Sequence, residues 1–401
     1  MSWGLVPIGS VATVLPGFAF KSEHLGNVGT PVIKIGNITD DGTVDIRATE
    51  KLPETLLEPK HQKFRLQNGD IVLAMTGATA GKAGRIIAAM GETFMLNQRV
   101  ARLIPERVQA DYFWYVISTE QYRERFYNLG GGAAQPNMSG PQIASVKIPI
   151  APPMVQAKIA SILSVYDDLI ENNRKRIALL EEATRMLYRE WFVCFRFPGH
   201  EHVRIIDGLP DGWERKPLGA IVETNRESYG ARELPEYINY IDISSVAQGK
   251  VVSRTPMATA DAPGRARRKA RDGDVIWSNV RPNLRAYSLI LEPAENDVFS
   301  TGFTVLSARA VPYTWLYQFV TTENFVGHLV NHATGAGYPA VRPDDFERAV
   351  AVVPPERLLK LFHEATETSM RMISKLNTHS EKLIQARDLL LPRLMNGEIA
   401  V

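Results

Sequence analysis

Cysteine is nearly absent: Cys194 is the only one in 401 residues. One thiol closes no internal disulfide, and there are no paired Cys/His spacings of the kind that hold zinc. The chain is therefore expected in a reducing, cytoplasmic setting. An excess of one charge is also lacking. The 46 Lys and Arg face 44 Asp and Glu, for a net +2. No global field announces a polyanionic partner, so any such contact must be local. No apolar run reaches the 18 or so residues of a membrane span, and no membrane partner is expected. The apolar start is interrupted by Pro7, Gly9, Pro16 and Gly17 and has no basic leader, so it is not read as a signal peptide.

The chemistry of an enzyme is missing too. The two proline pairs stand in Ala151-Pro152-Pro153-Met154 and Val353-Pro354-Pro355-Glu356, not in the Asp/Asn-Pro-Pro-aromatic order of an adenine methyltransferase. No glycine-rich cofactor fingerprint follows a strand. Thr76-Gly77-Ala78-Thr79-Ala80-Gly81-Lys82 is one residue short of a phosphate loop and lacks the Ser/Thr that holds magnesium. Pro343-Asp344-Asp345 has no Glu-x-Lys partner, and the eight histidines are scattered. No catalytic residue, metal ligand or cofactor is assigned to this chain.

What is present is a repeat. Shifted by about 203 residues, the chain matches itself in order. Gly69-Asp70-Ile71-Val72 lies over Gly273-Asp274-Val275-Ile276, Pro136 over Pro339, and Leu180, Ala183 and Leu187 over Leu383, Ala386 and Leu390. The proline pairs match one residue out of step. A period this long means duplicated domains rather than a solenoid of short repeats. Each half is predicted to be a globular stretch, a proline pair and a long helix.

Residues 1–110 read as short strands and turns, with strands at Pro31–Ile35 and Ile71–Met75 and a turn at Asp40-Asp41-Gly42. Asp111 is the expected cap of a helix reaching about Tyr127. The second half repeats these elements: strands at Tyr237–Ile243 and Asp274–Ser278, a helix over Tyr313–Val330, and a glycine-rich turn at 335–339.

From Met154 to Phe192 there is neither Pro nor Gly. Apolar residues recur at helical spacing at Ile162, Tyr166, Leu169, Ile177, Leu180, Leu187 and Trp191, with Asn173 interrupting the stripe. The second helical stretch, from about Glu356 to Leu391, carries Phe362, Ile373, Leu376, Leu383, Leu390 and Leu394, and Pro392 is expected to kink or stop it. Two such amphipathic helices are expected to pair with each other, antiparallel. The aromatic run Trp191–Phe197 is either core or a docking patch for another subunit.

The candidate contact residues lie in loops. Thr76, Thr79 and Lys82 belong either to a turn that approaches something anionic or to a plain connection. Asn97, Gln98, Arg99, Gln135 and Asn137 have similar potential in the first half. In the second half, Asn279, Arg281, Asn283 and Arg285 fall within seven residues. Arg pairs bidentately with guanine and Asn with adenine, so this loop could read bases, or be merely polar. Arg265, Arg267, Arg268, Lys269 and Arg271 form a cationic run suited to phosphate, or to a solvated face. Tyr338 and Arg342 flank the second glycine-rich turn.

With these residues in hand, the chain resembles the specificity subunit of type I restriction–modification enzymes. The resemblance rests on the order of globular module and long helix, twice over. It also rests on Gly69-Asp70-Ile71, Gly273-Asp274-Val275, Gln135-Pro136-Asn137, Ile148–Pro153, Leu187–Phe192 and Leu390–Ile399. The chain departs from the family where a Glu-Gln pair often follows the prolines: Val155-Gln156 and Arg357-Leu358 stand there. Tyr338-Pro339-Ala340 also stands where the first half has Gln135-Pro136-Asn137.

The resemblance implies an α+β protein with two similar α/β target-recognition domains, at 1–152 and 196–354. Two long spacer helices, at 153–195 and 355–401, would pair as an antiparallel coiled coil. It implies that each domain reads one half of a bipartite double-stranded DNA site. Asn173, Leu180, Leu187, Trp191, Leu376, Leu383 and Leu390 would form the spacer and subunit contacts. Two methyltransferase subunits, and motor/nuclease restriction subunits, would be partners. S-adenosylmethionine, ATP and magnesium would sit on those partners. The rival readings are a stand-alone enzyme acting on DNA and a scaffold carrying two binding modules that do not bind DNA.

Overall fold

The computed structural model describes residues 3–130, 136–230 and 233–399. The chain divides into two compact units, residues 1–171 with 381–401, and residues 172–380.

In the first unit, one four-stranded sheet runs in the order Ala12–Pro16, Val100–Pro105, Ile71–Ala74, Ala83–Arg85. A second runs Lys51–Leu52, Thr30–Ile33, Phe94–Leu96, Arg65–Leu66. Gly4–Pro7 pairs antiparallel with Lys147–Ile150. The second unit repeats this strand for strand. Its sheets are Val222–Thr224, Phe303–Ala308, Val275–Ser278, Tyr287–Leu289 and Thr255–Ala258, Tyr237–Ile241, Asp297–Ser300, Ala266–Arg268. Glu214–Pro217 pairs with Val350–Val353. Even the parallel pairings match, Thr30–Ile33 with Phe94–Leu96 and Tyr237–Ile241 with Asp297–Ser300. The sequence repeat is thus a repeat of topology.

The Gly-Asp signature has a structural cause. Gly69 and Gly273 sit at φ +88° and +86°, where a side chain is strained. The next residue closes the turn: the Asp70 carboxylate accepts from the Gln67 amide at 2.8 Å, and that of Asp274 from the Arg271 amide at 2.7 Å. Both carboxyls are pushed above their ordinary range by burial, which outweighs their hydrogen bonds. The strands that follow, Ile71–Ala74 and Val275–Ser278, are buried on both faces, so they read as unbroken apolar runs.

The long helices span Pro153–Tyr188 and Glu356–Met395. Each contributes a segment to each unit. In the first unit, Ile159, Ala160 and Leu163 share a core with Leu391, Leu394 and Met395, and Arg387 donates to Asp167 at 2.7 Å. In the second, Asn173 donates to His379 Nδ1 and Ser380 Oγ, both at 3.2 Å, and Tyr188 and Phe192 pack on Phe362. In each unit the paired segments run antiparallel.

Several expectations need correction. The buried face of the first helix carries Ile159, Leu163, Ile170, Asn173, Thr184 and Tyr188, whereas Ile162 and Leu169 are exposed. Apolar residues stand side by side at 162/163 and 169/170, so spacing alone fits either face, and packing selects one. Pro392 lies inside the second helix, which continues to Met395. The helix expected from Asp111 to Tyr127 is two, Ala110–Ile117 and Glu120–Asn128. Gln109 caps the first by accepting from the Tyr112 amide, while Asp111 pairs with Arg85 at 2.6 Å. Its counterpart in the second unit is likewise split, into Tyr313–Val320 and Glu323–His332.

Candidate nucleic-acid interface

Three loop segments that are far apart in sequence meet at one backbone residue in each unit. In the first unit that residue is Met75. Its amide donates to the Arg99 carbonyl at 2.9 Å, and its carbonyl accepts from the Met138 amide at 2.9 Å. The Gly77 amide donates to the Pro136 carbonyl at 3.1 Å, and Thr76 bridges Asn137. The loop 76–82, the turn 97–99 and the segment 136–138 are therefore stitched together. In the second unit the residue is Asn279. Its amide donates to Gly302 and its carbonyl accepts from Val341, both at 2.8 Å, and the Arg281 amide donates to Pro339 at 2.7 Å. The same seam joins 279–285, 301–302 and 334–341.

At the seam of the first unit, Gln98, Arg99 and Asn137 are exposed, and Arg99 has no ion pair among the described residues. Asn97 accepts weakly from the Arg99 amide at 3.4 Å, so it serves the turn. Thr76 and Thr79 are half-buried, and the Thr76 hydroxyl has no hydrogen-bond partner among the described residues. Lys82 does not reach outward. Its ammonium lies 2.7 Å from Asp40, which Arg123 also approaches at 3.4 Å. The Lys82 hydrogen bond holds the Asp40 carboxyl below its ordinary range. Gln135 lies outside the described residues.

The loop of the second unit separates into working and exposed side chains. The Asn279 amide oxygen accepts from the Thr304 hydroxyl at 2.7 Å, so this side chain braces the loop. Arg285 forks onto Glu323 with bonds of 2.6 and 2.5 Å, and that hydrogen bonding pulls the Glu323 carboxyl down. Arg281 and Asn283 are exposed. The Arg281 guanidinium lies 4.6 Å from the Tyr338 ring centroid and donates to the Gly337 carbonyl at 3.2 Å. Tyr338 is itself 73% exposed, so the stack stands in solvent. Arg342 is exposed, and its amide donates to the Asp345 carboxylate at 2.8 Å, starting a short helix.

Backbone conformation adds what the residue types could not. Arg281 and Arg285 are left-handed, at φ +49° and +55°. Gly77 and Gly81 hold the matching places in the first unit, at φ +74° and +84°. A left-handed residue with a Cβ costs about 1–2 kcal/mol. The second unit accepts that strain twice where the first uses glycine. In the sequence, the trace of this difference is that Gly77 and Gly81 lie over Arg281 and Arg285 at a shift of 204, which does not by itself reveal the left-handed arginines.

The cationic run is an edge strand rather than a free arm. Arg265 is exposed and donates to the Tyr240 hydroxyl at 3.1 Å. Arg267 turns to the Ala266 carbonyl, Arg268 donates to Ser228 at 2.9 Å, and Lys269 sits 4.1 Å from the Tyr229 ring centroid. Arg271 is paired with Glu227. Burial lowers the Arg268 pKa. Of the five cations, Arg265 keeps the most freedom to meet an outside anion.

On the helices, Asn173 and Leu376 are buried, and Leu180, Leu187, Leu383 and Leu390 are half-buried. Trp191 packs on Phe362 and Phe192, with ring centroids 6.0 and 6.1 Å apart. The aromatic run after the first helix is therefore core: Phe192 and Phe197 are buried with Trp213 and Trp315. Among the described residues, no group of three or more His, Cys, Asp or Glu could hold a metal ion. None of the described helices is long and apolar enough to cross a membrane.

Comparison with known proteins adds a likeness. Residues 2–182 match the type I restriction modification DNA specificity domain. The chain is 26% identical over 319 residues to the type I restriction enzyme MjaIX specificity subunit of Methanocaldococcus jannaschii, covering 76% of this chain and 73% of that one. It is 30% identical over 190 residues to the MjaVIII specificity subunit of the same organism, covering 46% of this chain and 44% of that one. The crystal structure of the type I restriction-modification system S subunit from M. genitalium superposes with a TM-score of 0.60 at 15% identity, covering 98% of this chain and 96% of that one. That likeness is one of fold.

Proposed function

We propose that the chain is a type I restriction–modification specificity subunit, as the domain match over residues 2–182 and the 26% identity to such a subunit suggest, and that it gives such a system its DNA sequence preference. Each unit would read one half of a bipartite site. The paired helices would fix the gap and dock two methyltransferase subunits, joined for cleavage by motor/nuclease subunits. This chain would bind no cofactor and carry out no chemistry. S-adenosylmethionine, ATP and magnesium would act on the partners.

One observation carries the bipartite reading. Two units with the same strand order present different side chains at the same seam, Gly77 and Gly81 in one, Arg281 and Arg285 in the other. A common frame with changed loop residues suits two related but distinct ligands. Two half-sites of one DNA answer that description, and a single continuous site does not. The exposed Arg99, Arg265, Arg281 and Arg342 supply the cations that duplex binding requires.

The experiment is binding and activity of the purified chain on duplex DNA. Salt-dependent binding with neither methyl transfer nor cleavage is expected, even with S-adenosylmethionine, ATP and magnesium present. Methyl transfer by the chain alone would overturn the proposal in favour of a stand-alone enzyme. Absence of any salt-dependent DNA affinity would favour a scaffold of another kind.

A further inference from the structure

We propose that Arg281, held by Tyr338, reads a guanine in the half-site of the second unit, and that the first unit has no counterpart to it. The inference rests on the proposed DNA-reading function and goes beyond it by assigning the base, the residue and the asymmetry.

The two loops share a frame. In each, two left-handed residues stand four positions apart around a short 3-10 segment, which begins at Gly77 itself in the first unit and just after Arg281 in the second. In each, the first left-handed amide donates to a proline carbonyl, Gly77 to Pro136 and Arg281 to Pro339. Glycine is the residue this frame favours, and the first unit uses it at both places. The second unit places arginine at both, against the backbone preference. Arg285 has an internal reason, its fork onto Glu323. Arg281 has no such carboxylate among the described residues.

Arg281 is nevertheless held. Its guanidinium lies over the Tyr338 ring and gives one hydrogen bond to Gly337. The turn that carries Tyr338 is closed by paired hydrogen bonds between Thr334 and Ala340, each 2.9 Å. A guanidinium has five N–H donors, so one bond leaves most of the fork unsatisfied. A planar fork, exposed and positioned on a rigid turn, matches the O6 and N7 acceptors of guanine in the major groove. A phosphate contact would not need the stack, because a phosphate accepts a cation from many directions.

The test compares wild type, Arg281→Gly and Tyr338→Leu in the complete complex with its methyltransferase subunits, on a library of single-base site variants. Gly is what the first unit carries in this frame, so the variant is expected to fold, with a melting temperature equal to or above wild type. It should lose roughly 5- to 150-fold discrimination at one guanine of the second half-site. Wild type on DNA with 7-deazaguanine at that position, which lacks the N7 acceptor but keeps O6, should show part of that loss. Tyr338→Leu should weaken the same discrimination in part, as expected of a positioning residue. A uniform loss across all variants would assign Arg281 to phosphate and overturn the inference. So would an unchanged site preference, or a loss in the other half-site. In those cases the bipartite reading by wild type would stand. A wild-type complex that ignores both half-sites would sink both.

Discussion

Removing one carboxylate should make the first unit hold DNA more tightly and more salt-sensitively. Asp40 neutralises Lys82 at 2.7 Å and also draws in Arg123 at 3.4 Å. Asp40→Asn releases these cations beside the loop 76–82. The carboxylate side chain is 74% exposed, so the pair is worth no more than about 1 kcal/mol of stability. The melting temperature should move by about 4 °C at most. DNA affinity should respond more clearly. One additional phosphate neutralised steepens the dependence of log affinity on log salt by about 0.9. Between 50 and 200 mM salt, the variant should then lose about 3.5-fold more affinity than wild type. Fluorescence anisotropy with a labelled duplex across that range measures the slope. In the double variant Asp40→Asn/Lys82→Ala, most of the added slope should disappear. A folded Asp40→Asn protein with the wild-type slope would show that the Lys82 loop does not face the DNA backbone.

The other expectations concern single residues. Arg265→Ala should weaken binding to all sequences alike and flatten the salt slope by about 0.9, whereas Arg268→Ala should chiefly lower the melting temperature. Asn173→Ala removes two hydrogen bonds from a buried position and should cost about 1–3 kcal/mol, read as a lower denaturant midpoint; an unchanged midpoint would mean the bonds contribute nothing. Asp272 is held below its ordinary 3.8 by the Arg371 hydrogen bond, so its contribution is complete above pH 3.8 and fades as pH falls through the lower folded value. Wild type and Asp272→Asn should therefore differ in melting temperature at pH 5–7 (a window set by the ordinary Asp pKa of ~3.9) and converge in stronger acid; a constant difference would refute the assignment.

Much of the architecture was legible because it rests on local signals repeated twice. The Gly-Asp turns, the strands after them and the Pro- and Gly-free helices follow from periodicity and backbone preference. The loop segments around 76–82, 97–99 and 136–138 could each be picked out by composition. That Met75 stitches them together could not, because backbone hydrogen bonds leave no trace in residue type. The same holds for ion pairs between distant residues. Lys82 and Arg285 look like free cations until Asp40 and Glu323 are placed beside them. The helix stripe was misplaced by one residue where two apolar neighbours competed, and only packing separates Ile162 from Leu163.

The most direct test of the central claim is to map methylated adenines in DNA from cells that carry this chain together with the methyltransferase subunits proposed as its partners. The account predicts two short defined sequences separated by a fixed, unspecified gap, all lost when the chain is deleted. A single uninterrupted motif, or a pattern that survives the deletion, would contradict it.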